Sequence, residues 1–576
     1  MKQLISKLME NGESFLPKSI ICLRDYTAQK LVADLIAGLT VGLVALPLAM
    51  AFAISSGVQP QAGIYCAVVA GFFISALGGS KMQIGGPTGA FVVVISGIVA
   101  KYGVEGLFLC TMMAGVMLAI LGLTGLGTAV KYIPHPVVIG FTNGIAVLIA
   151  STQIKDYFGL KIEAVPGEFI GRLETIYQHL NTFSLTATAM ASAALIIIIV
   201  MARFVRRIPG SIIALFLGTA VAWYFHFPLE TIETKFGGIP SGLPQFTIPT
   251  FRADLILTLL APALTITMLG AIESLLSAVV SDRMSGDKHN PNVELFAQGV
   301  ANIMSPLVGG LPATGAIART ATNIRSGAQT PVAGMLHAVT LLLVLLFATP
   351  LAKHIPLCVL AAILMVVAYN MGEWAEIPKI LKLSKADITV WLITFALTVF
   401  ADLTVAVQVG MILAALFYIR KVTISTTVSE VTSEYIQAGF AHSLQTNDLP
   451  AGVKVFRIHG PFLFGATDKL SVIEEQFKEL PAIVMLRVRN MTAIDATGLS
   501  ALEELAGRLH QSGRTLIICG MREQPAKLMQ KAEFHHHIGN ANIQPSLADG
   551  VKRAREILDL QHGKASAASK GMEVEL

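Results

Sequence analysis

The sequence predicts a polytopic α-helical membrane domain that is followed by a small C-terminal α/β domain. Of its 576 residues, 54% are hydrophobic and only 14% are charged, whereas soluble domains carry roughly 25% charged residues. Apolar stretches of the length that a bilayer requires recur from residue 31 to residue 421. From residue 453 onward the pattern changes to alternating short strands and amphipathic helices, with strands predicted at residues 454–460, 482–488 and 515–520 and helices at residues 467–480 and 496–513.

About fourteen hydrophobic elements can be separated in the first 421 residues. Eleven have the character of a span, and they cover residues 31–54, 62–77, 107–128, 136–151, 188–204, 211–225, 255–280, 332–348, 356–370, 388–401 and 404–419. Three are shorter or interrupted, at residues 86–100, 293–308 and 313–324. In transporters, such short elements are typical of broken helices that line a binding site.

The distribution of basic residues predicts which side of the membrane each loop faces. If the N-terminus is cytoplasmic, fourteen crossings place most basic loop residues inside, including Lys81, Arg325 and the cluster at residues 203–207, as the positive-inside rule requires. We therefore expect a multi-pass protein of the cytoplasmic (inner) cell membrane, with both termini in the cytoplasm.

A short motif repeats near the start of two of the broken elements. The tripeptide Thr-Gly-Ala occupies residues 88–90 and residues 314–316, and each copy follows a Gly-Gly pair and a proline. Seven predicted spans separate the copies, and an odd number of spans in each repeat makes the two halves inverted. The alternative is that Gly-Gly-Pro only breaks helices at loops and that the three-residue match is due to chance.

Two helix starts that face each other in the membrane would form an anion site. The first turn of a helix leaves N–H groups unpaired, and its N-terminus carries about half a positive charge. Glycine permits close approach to the backbone, and the hydroxyls of Thr88 and Thr314 can donate hydrogen bonds.

Glu273 and Arg319 are charged residues inside apolar elements, where a charge costs about 3 kcal/mol or more. Arg319 lies five residues after Thr314 and could raise the positive potential at the anion site. Glu273 could carry a proton and so couple anion entry to a proton gradient. The alternative for both residues is a structural salt bridge across the core.

Longer segments carry a resemblance to a known family. They are "DLIAGLTVGLVALPLAMAFAISSGVQPQAGIY", "GGPTGAFVVV", "LGAIESLLSAVVSD", "ATGAIARTATNIRSGAQTP" and "IDATGL". In this order they resemble the sulfate permease family, also called SulP or solute carrier family 26. The likeness covers about residues 30–558 and is nearest to the bacterial branch that includes proton-linked dicarboxylate carriers.

The resemblance implies seven spans plus seven inverted spans, divided into a core domain and a gate domain, in a protein that forms homodimers. It places a wall of the site at residues 48–51 and assigns Glu273 to coupling, where Glu rather than Asp favours protons over sodium. Ala318 stands where some members carry serine, so no side-chain hydroxyl is offered there. The substrate-binding residues that the resemblance implies are Thr88, Gly89, Ala90, Phe91, Thr314, Gly315, Ala316, Ala318 and Arg319.

The C-terminal domain resembles a STAS domain, the fold that anti-sigma-factor antagonists share. In those proteins a hydroxyl in the loop that opens a helix is phosphorylated. Asp495 and Thr497 match this loop and are the candidate regulatory residues, whereas Ala496 departs from the pattern. The alternative is that Asp495 and Thr497 only cap a helix.

These observations predict five regions: a cytoplasmic segment at residues 1–30, a transport domain at 31–421, a linker at 422–450, a STAS domain at 451–560 and a disordered tail at 561–576. The expected function is secondary active transport of small anions such as sulfate, bicarbonate or a C4-dicarboxylate, by proton-coupled symport with an elevator-like movement. Two alternatives stay open, an anion channel or chloride/bicarbonate exchanger, and a membrane sensor or scaffold that acts through the STAS domain.

The expected partners are a small anion, protons, membrane lipid, a second copy of the chain and a cytosolic protein at the STAS domain. No cofactor or metal is expected. Nucleic-acid binding is not expected either, because the net charge of +5 is scattered over loops. The sequence contains no recognisable Ser-His-Asp set, phosphate loop or metal-ligand spacing, so we expect no enzymatic activity. The run at residues 535–537 is interpreted as surface histidines.

Overall fold

The computed structural model describes residues 15–128, 134–162, 165–204, 209–238, 242–246, 253–347, 349–401, 403–431 and 449–572. The chain forms two compact units, Met1–Ala414 and Ala415–Leu576. The helices up to residue 425 are α1 Lys18–Leu23, α2 Ala28–Ser55, α3 Pro60–Leu77, α4 Gly89–Leu123, α5 His135–Phe158, α6 Phe169–Gln178, α7 Leu185–Phe204, α8 Gly210–Tyr224, α9 Ile232–Phe236, α10 Ile256–Ser285, α11 Pro291–Met304, α12 Ile317–Arg325, α13 Val332–Phe347, α14 Thr349–Ala352, α15 Leu357–Met371, α16 Ile377–Ile380, α17 Lys385–Phe400 and α18 Leu403–Ser425.

Eight helices in the described part of the chain are long and apolar enough to cross a membrane, and α8 and α13 are shorter apolar helices. Helix α4 has 35 residues but is not one continuous helix. Its backbone leaves the helical region at Gly103, where φ is 71° and ψ is −179°. Helix α4 therefore consists of two helical segments joined at a kink, and these segments correspond to the two predicted elements, residues 86–100 and 107–128. The number of fourteen spans stays a prediction.

Helices α4 and α11 pack through glycines that bring their backbones together. A Cβ atom at Gly299 would lie 2.5 Å from the backbone nitrogen of Ala119 and 2.7 Å from the carbonyl oxygen of Gly115. A Cβ atom at Gly122 would lie 2.6 Å from the backbone nitrogen of Phe296. Small residues at such contacts are the usual means by which membrane helices approach closely. This contact fixes α11 against the segment of α4 that follows Gly103.

We expect Gly299→Ala to destabilise the membrane domain, because the added methyl group meets backbone atoms that cannot rotate away. Overpacking of this kind costs about 1–3 kcal/mol, and it should appear as a lower midpoint in detergent-solubilised thermal unfolding. Gly97→Ala is the matched control, because a Cβ atom at Gly97 has no atom within 4 Å. Equal midpoints for the two variants would contradict the packing argument.

The two Thr-Gly-Ala copies lie beside each other in the fold. Strand β1, Gly85–Gly86, pairs antiparallel with β2, Thr314–Gly315, with Gly85 opposite Gly315 and Gly86 opposite Thr314. Helix α4 begins directly after β1, and α12 begins directly after β2. The two breaks are thus joined by main-chain pairing, and both helices start from this junction.

The second unit contains a five-stranded sheet in the order β3-β4-β5-β6-β7. Strand β3 is antiparallel to β4, and the other neighbours are parallel. Helix α20 buries a leucine stripe that repeats at helical spacing. The strands are β3 Thr427–Glu430, β4 Val453–Phe462, β5 Ile483–Ile494, β6 Thr515–Cys519 and β7 Ile543–Gln544, and the helices are α19 Ser471–Glu474, α20 Ala496–Gln511, α21 Glu523–Lys531, α22 His535–Ile538 and α23 Leu547–Met572.

Three expectations for this part of the chain need correction. The helix predicted at residues 467–480 consists of tight 3₁₀ turns around the short α19, because Leu470 and Ile473 reach the core from successive turns. The predicted linker contains the end of α18 and strand β3, while residues 432–448 lie outside the described residues. Helix α23 continues to Met572, because the alanine-rich segment favours helix and contains no proline; residues 573–576 are not described.

Candidate functional site

A cavity of about 550 Å³ opens beside the junction of β1 and β2. Two sets of helices supply its walls: α2, α4, α10 and α12, and α5, α15 and α18. Helix α2 packs on α3 and α13, and α4 packs on α10 and α11, whereas α5 packs on α15 and α17. The lining residues are Leu48, Phe52, Thr88, Gly89, Val137, Val138, Phe141, Thr142, Leu269, Ile272, Glu273, Leu276, Gly315, Ala316, Ile317, Ala318, Arg319, Ala321, Thr322, Arg325, Val367, Asn370, Met371, Glu373 and Val407.

Arg319 brings a buried positive charge to this cavity. Its side chain is 2% exposed, and its Nη2 donates to the carbonyl oxygen of Pro87, just before α4 begins. Its Nη1 has no hydrogen-bond partner among the described residues. Gly86 is required beside it, since its φ is +148° and a Cβ atom there would lie 2.7 Å from Nη1. The guanidinium therefore lies against the backbone of the first break.

Glu273 brings a carboxyl group from α10 to the same cavity. Its Oε2 accepts a hydrogen bond of 2.9 Å from Oγ1 of Thr88, and both residues line the cavity. Thr88 precedes α4, but its side chain does not cap that helix. Within the described residues, no ion pair joins Glu273 to Arg319, so the salt bridge weighed as an alternative is not formed.

The predicted binding residues divide into two groups. Thr88, Gly89, Gly315, Ala316, Ala318 and Arg319 line the cavity together with Glu273. Ala90 and Phe91 are fully buried and do not line it. Thr314 is also fully buried, and its Oγ1 donates to the carbonyl oxygen of Gly270 at 2.9 Å. The hydroxyl of Thr314 thus attaches β2 to α10 instead of facing a ligand.

The two helix starts present the remaining positive potential. Phe91 N donates to Thr88 O at 3.3 Å, and Thr320 N donates to Ala316 O at 2.8 Å, so each bond closes a first turn. The N–H groups that precede these bonds belong to the unpaired set at a helix N-terminus. Such groups and the helix dipole favour a bound anion.

Some lining residues were not predicted from the sequence. Leu48 lies within the wall that the family resemblance places at residues 48–51, and Phe52 lies one residue beyond it. Arg325, Asn370 and Glu373 also line the cavity. In the sequence these three polar residues lie at or just after the ends of apolar spans. That position alone did not identify them as cavity residues, because polar residues at span ends are common in loops.

The candidate regulatory loop of the second unit has the geometry of a helix cap. Oδ1 of Asp495 accepts from Gly498 N at 2.8 Å, and its Oδ2 accepts from Phe464 N at 3.0 Å. Thr497 is exposed on the first turn of α20. Asp495 therefore has the capping role that was weighed as its alternative, and phosphorylation of Thr497 stays a prediction. Among the described residues, no three side chains of His, Cys, Asp or Glu lie close enough together to hold a metal ion.

Residues 31–394 match the Sulfate permease family, and residues 446–550 match the STAS domain. The chain is 43% identical over 523 residues to the putative sulfate transporter YvdB of Bacillus subtilis, covering 90% of this chain and 97% of that protein. It is 32% identical over 551 residues to the bicarbonate transporter BicA of Picosynechococcus sp., covering 90% and 96%. Both relatives are thus similar to it over nearly their full length.

Two solved structures are similar to the chain. The transmembrane domain of a cyanobacterial bicarbonate transporter BicA matches with a TM-score of 0.58 and 35% identity, over 68% of this chain and 98% of that one. The murine Slc26a9 anion transporter in the inward-facing state matches with a TM-score of 0.82 and 18% identity, over 94% of each chain. At that identity the second match supports the fold alone. The predicted fold class, a helical membrane domain with a C-terminal STAS domain, is confirmed.

Proposed function

The chain belongs to the sulfate permease family, as its motifs predicted, and from this premise we propose that it carries small oxyanions across the cell membrane as a secondary transporter. One observation carries the proposal most directly. Two helix starts meet at the pairing of β1 with β2, and the buried guanidinium of Arg319 lies beside them at a single cavity. Its named relatives are transporters, and the chain is accordingly a transporter and not an enzyme.

Sulfate and bicarbonate are the anions that the relatives' names support, and a C4-dicarboxylate is a further candidate. Each could take hydrogen bonds from helix N–H groups and from a guanidinium, which suits oxyanion geometry. The cavity offers one fully buried cation, Arg319. We therefore propose that the helix dipoles and Arg319 together balance the negative charge of the anion. Ala318 is exposed, and its small side chain leaves space for the anion beside α12.

We propose that protons drive uptake through Glu273. Its carboxyl group shares the cavity with Arg319 and accepts the hydroxyl of Thr88. A neutral Glu273 adds no negative charge beside the incoming anion, whereas an ionised one opposes it. Proton and anion would then bind together and leave together, while an elevator-like movement shifts the core helices past α5, α15 and α18.

The remaining parts of the proposal concern placement and assembly. We propose a multi-pass protein of the cytoplasmic cell membrane with both termini in the cytoplasm, working as a homodimer. The STAS domain would bind a cytosolic protein near Asp495 and Thr497. A channel or an anion exchanger is the second candidate function, because the same cavity could serve either; saturation and counterflow identify a carrier, and unitary currents identify a channel.

The proposal is tested with purified protein in proteoliposomes and a panel of labelled sulfate, bicarbonate, succinate and chloride. We expect saturable uptake of at least one oxyanion that rises when the outside is more acidic than the inside. Each unit of pH difference supplies about 1.4 kcal/mol per proton, so one coupled proton supports about tenfold accumulation. Saturable uptake without any effect of the pH gradient would reject the coupling, and unitary currents without counterflow would reject the carrier.

A further inference from the structure

The first helix break is held in place by side chains from the second half of the membrane domain. Glu294 of α11 accepts from Gly79 N and Ser80 N, each at 3.0 Å. Asn323 of α12 donates from Nδ2 to Met82 O at 2.9 Å. These bonds fix the chain between α3 and β1. The two residues that supply them, Glu294 and Asn323, are fully buried.

The same pattern continues up to the start of α4. Oγ1 of Thr320 accepts from Ile84 N at 3.0 Å, and Ala316 N donates to Ile84 O at 2.8 Å. Arg319 then donates to Pro87 O. Every one of these partners lies on or directly before α12, so the peptide groups on both sides of Ile84 are held by that helix.

The two halves do not contribute equally to this arrangement. The second break is held mainly from its own half, because Asn302 of α11 donates from Nδ2 to Ala313 O and accepts on Oδ1 from Ala313 N, both at 2.8 Å. The first half contributes a long bond, from Sγ of Cys66 to Pro312 O at 3.8 Å. The first-half positions that correspond to the holding residues, at the 226-residue spacing of the motif, are all non-polar. Glu294, Asn302, Thr320 and Asn323 correspond in this way to Val68, Ala76, Val94 and Gly97.

Thr320 occupies the point where three site-bearing elements meet. It is fully buried, and its hydroxyl lies 3.0 Å from Oγ of Ser277 as well as accepting from Ile84 N. Ser277 lies one turn after Glu273 on α10, Arg319 precedes Thr320 on α12, and the Ile84 segment leads to Thr88. The Thr320 hydroxyl therefore contacts the segments that carry Thr88 and Glu273, and Thr320 itself is the neighbour of Arg319 in α12. Thr320 does not line the cavity.

We propose that Thr320 is a positioning residue of the anion site: its hydroxyl sets the placement of Arg319, Glu273 and Thr88 without contacting the anion. The predicted effect on transport rests on the proposed function. The predicted restraint of the backbone at Ile84 by the Thr320 hydroxyl is independent of that function. A buried side-chain network of this type loses its geometry when one member is removed.

The test compares Thr320→Val, which keeps the shape and removes the hydroxyl, with Thr320→Ser, which keeps the hydroxyl. Thr111→Val is the matched control, because Thr111 is also fully buried and its hydroxyl donates only to Leu107 O of its own helix, at 2.7 Å. The first readout is backbone hydrogen exchange over residues 82–88 in the full-length protein. The second is the anion KM and maximal rate in proteoliposomes.

We expect Thr320→Val to speed exchange over residues 82–88 and to raise the anion KM about tenfold, the effect of one lost hydrogen bond in a buried site. Thr320→Ser should restore both values to within about threefold, a much smaller loss than that of a whole hydrogen bond, and Thr111→Val should change neither. A folded Thr320→Val protein with unchanged exchange and unchanged KM would overturn the proposal. So would a threonine-to-serine change as damaging as the valine.

Two further outcomes keep the test decisive. If Thr320→Val does not fold, Ser277→Ala takes its place; it should raise the anion KM without altering exchange at Ile84, and an unchanged KM would overturn the link to α10. If the wild-type protein neither binds nor transports any anion of the panel, the proposed function fails. Faster exchange in Thr320→Val would then still support the restraint at Ile84, and unchanged exchange would overturn it.

Discussion

Arg319→Ala should raise the anion KM between about tenfold and about a hundredfold, which corresponds to roughly 1.5–3 kcal/mol for hydrogen bonds to a charged group. Arg319 is a fully buried cation of the cavity, and helix N-termini can replace only part of its charge. The measurement is initial-rate uptake of the anion that the panel identifies, over a range of concentrations. Maximal rate should fall less than affinity, because the moving surfaces are untouched.

The variant also removes the donor to Pro87 O, so folding must be measured beside transport. We expect a moderate fall in the thermal midpoint and a normal elution profile in detergent. Arg283→Gln is a suitable control, since Arg283 is exposed at the end of α10. A well-folded Arg319→Ala protein with wild-type affinity would exclude the arginine from the anion site.

Glu273→Gln should abolish accumulation driven by a pH gradient while anion exchange continues. Glutamine has the same shape, and its side-chain oxygen can accept the hydroxyl of Thr88 as Glu273 does at 2.9 Å, but it cannot take up or release a proton. With an acidic exterior, the wild-type protein should concentrate the anion inside. The variant should reach only equal concentrations on the two sides, and counterflow of preloaded anion should persist.

Both arms of this experiment are needed. Loss of counterflow together with accumulation would show that Glu273 is required for binding or folding and would contradict a role confined to coupling. Undiminished accumulation in the variant would assign the proton to another group. Glu174→Gln supplies the control, because Glu174 lies exposed on α6 and does not line the cavity.

The sequence predicts the site well where local chemistry determines position. Gly-Gly and proline keep the chain non-helical before each Thr-Gly-Ala copy, and a helix begins within or directly after that copy, so both breaks could be found from short motifs. Arg319 and Glu273 were evident because charge is rare in apolar spans. The antiparallel pairing of Gly85 with Gly315 also agrees with the two facing helix starts that the repeat predicts. These motifs do not determine which anion binds or which ion gradient drives its transport.

Other features depend on tertiary packing and could not be predicted from the sequence. Nothing in the motif separates Thr88, which faces the cavity, from Thr314, whose hydroxyl is taken by Gly270 O. Glu294 could have been noticed by the same rule as Glu273, since it is a carboxylate within an apolar element. Thr320 carried no signal, because a threonine in a helix normally bonds to its own backbone.

In the STAS domain the alternation of strands and helices was sufficient to predict the fold class but not the boundaries of the elements. The strands β4, β5 and β6 coincide with the predicted segments near residues 453, 483 and 515. The edge strand β3 was missed because its four residues give too short an alternation to distinguish from a loop. The 3₁₀ turns after β4 were missed because their apolar spacing also fits an α-helix.

The short ladder between β1 and β2 has a mechanical consequence. Gly85 opposes Gly315, and Ala316 N donates to Ile84 O, so pulling the helix starts apart would leave main-chain groups without partners in a region where water is scarce. A turnover that preserves this ladder must move both helix starts together, as one block. In the elevator-like movement that we propose, the surfaces of α5, α15 and α18 along which this block slides would set access to the cavity. The helix starts of α4 and α12 would then hold the anion, while those surfaces would limit the rate of turnover.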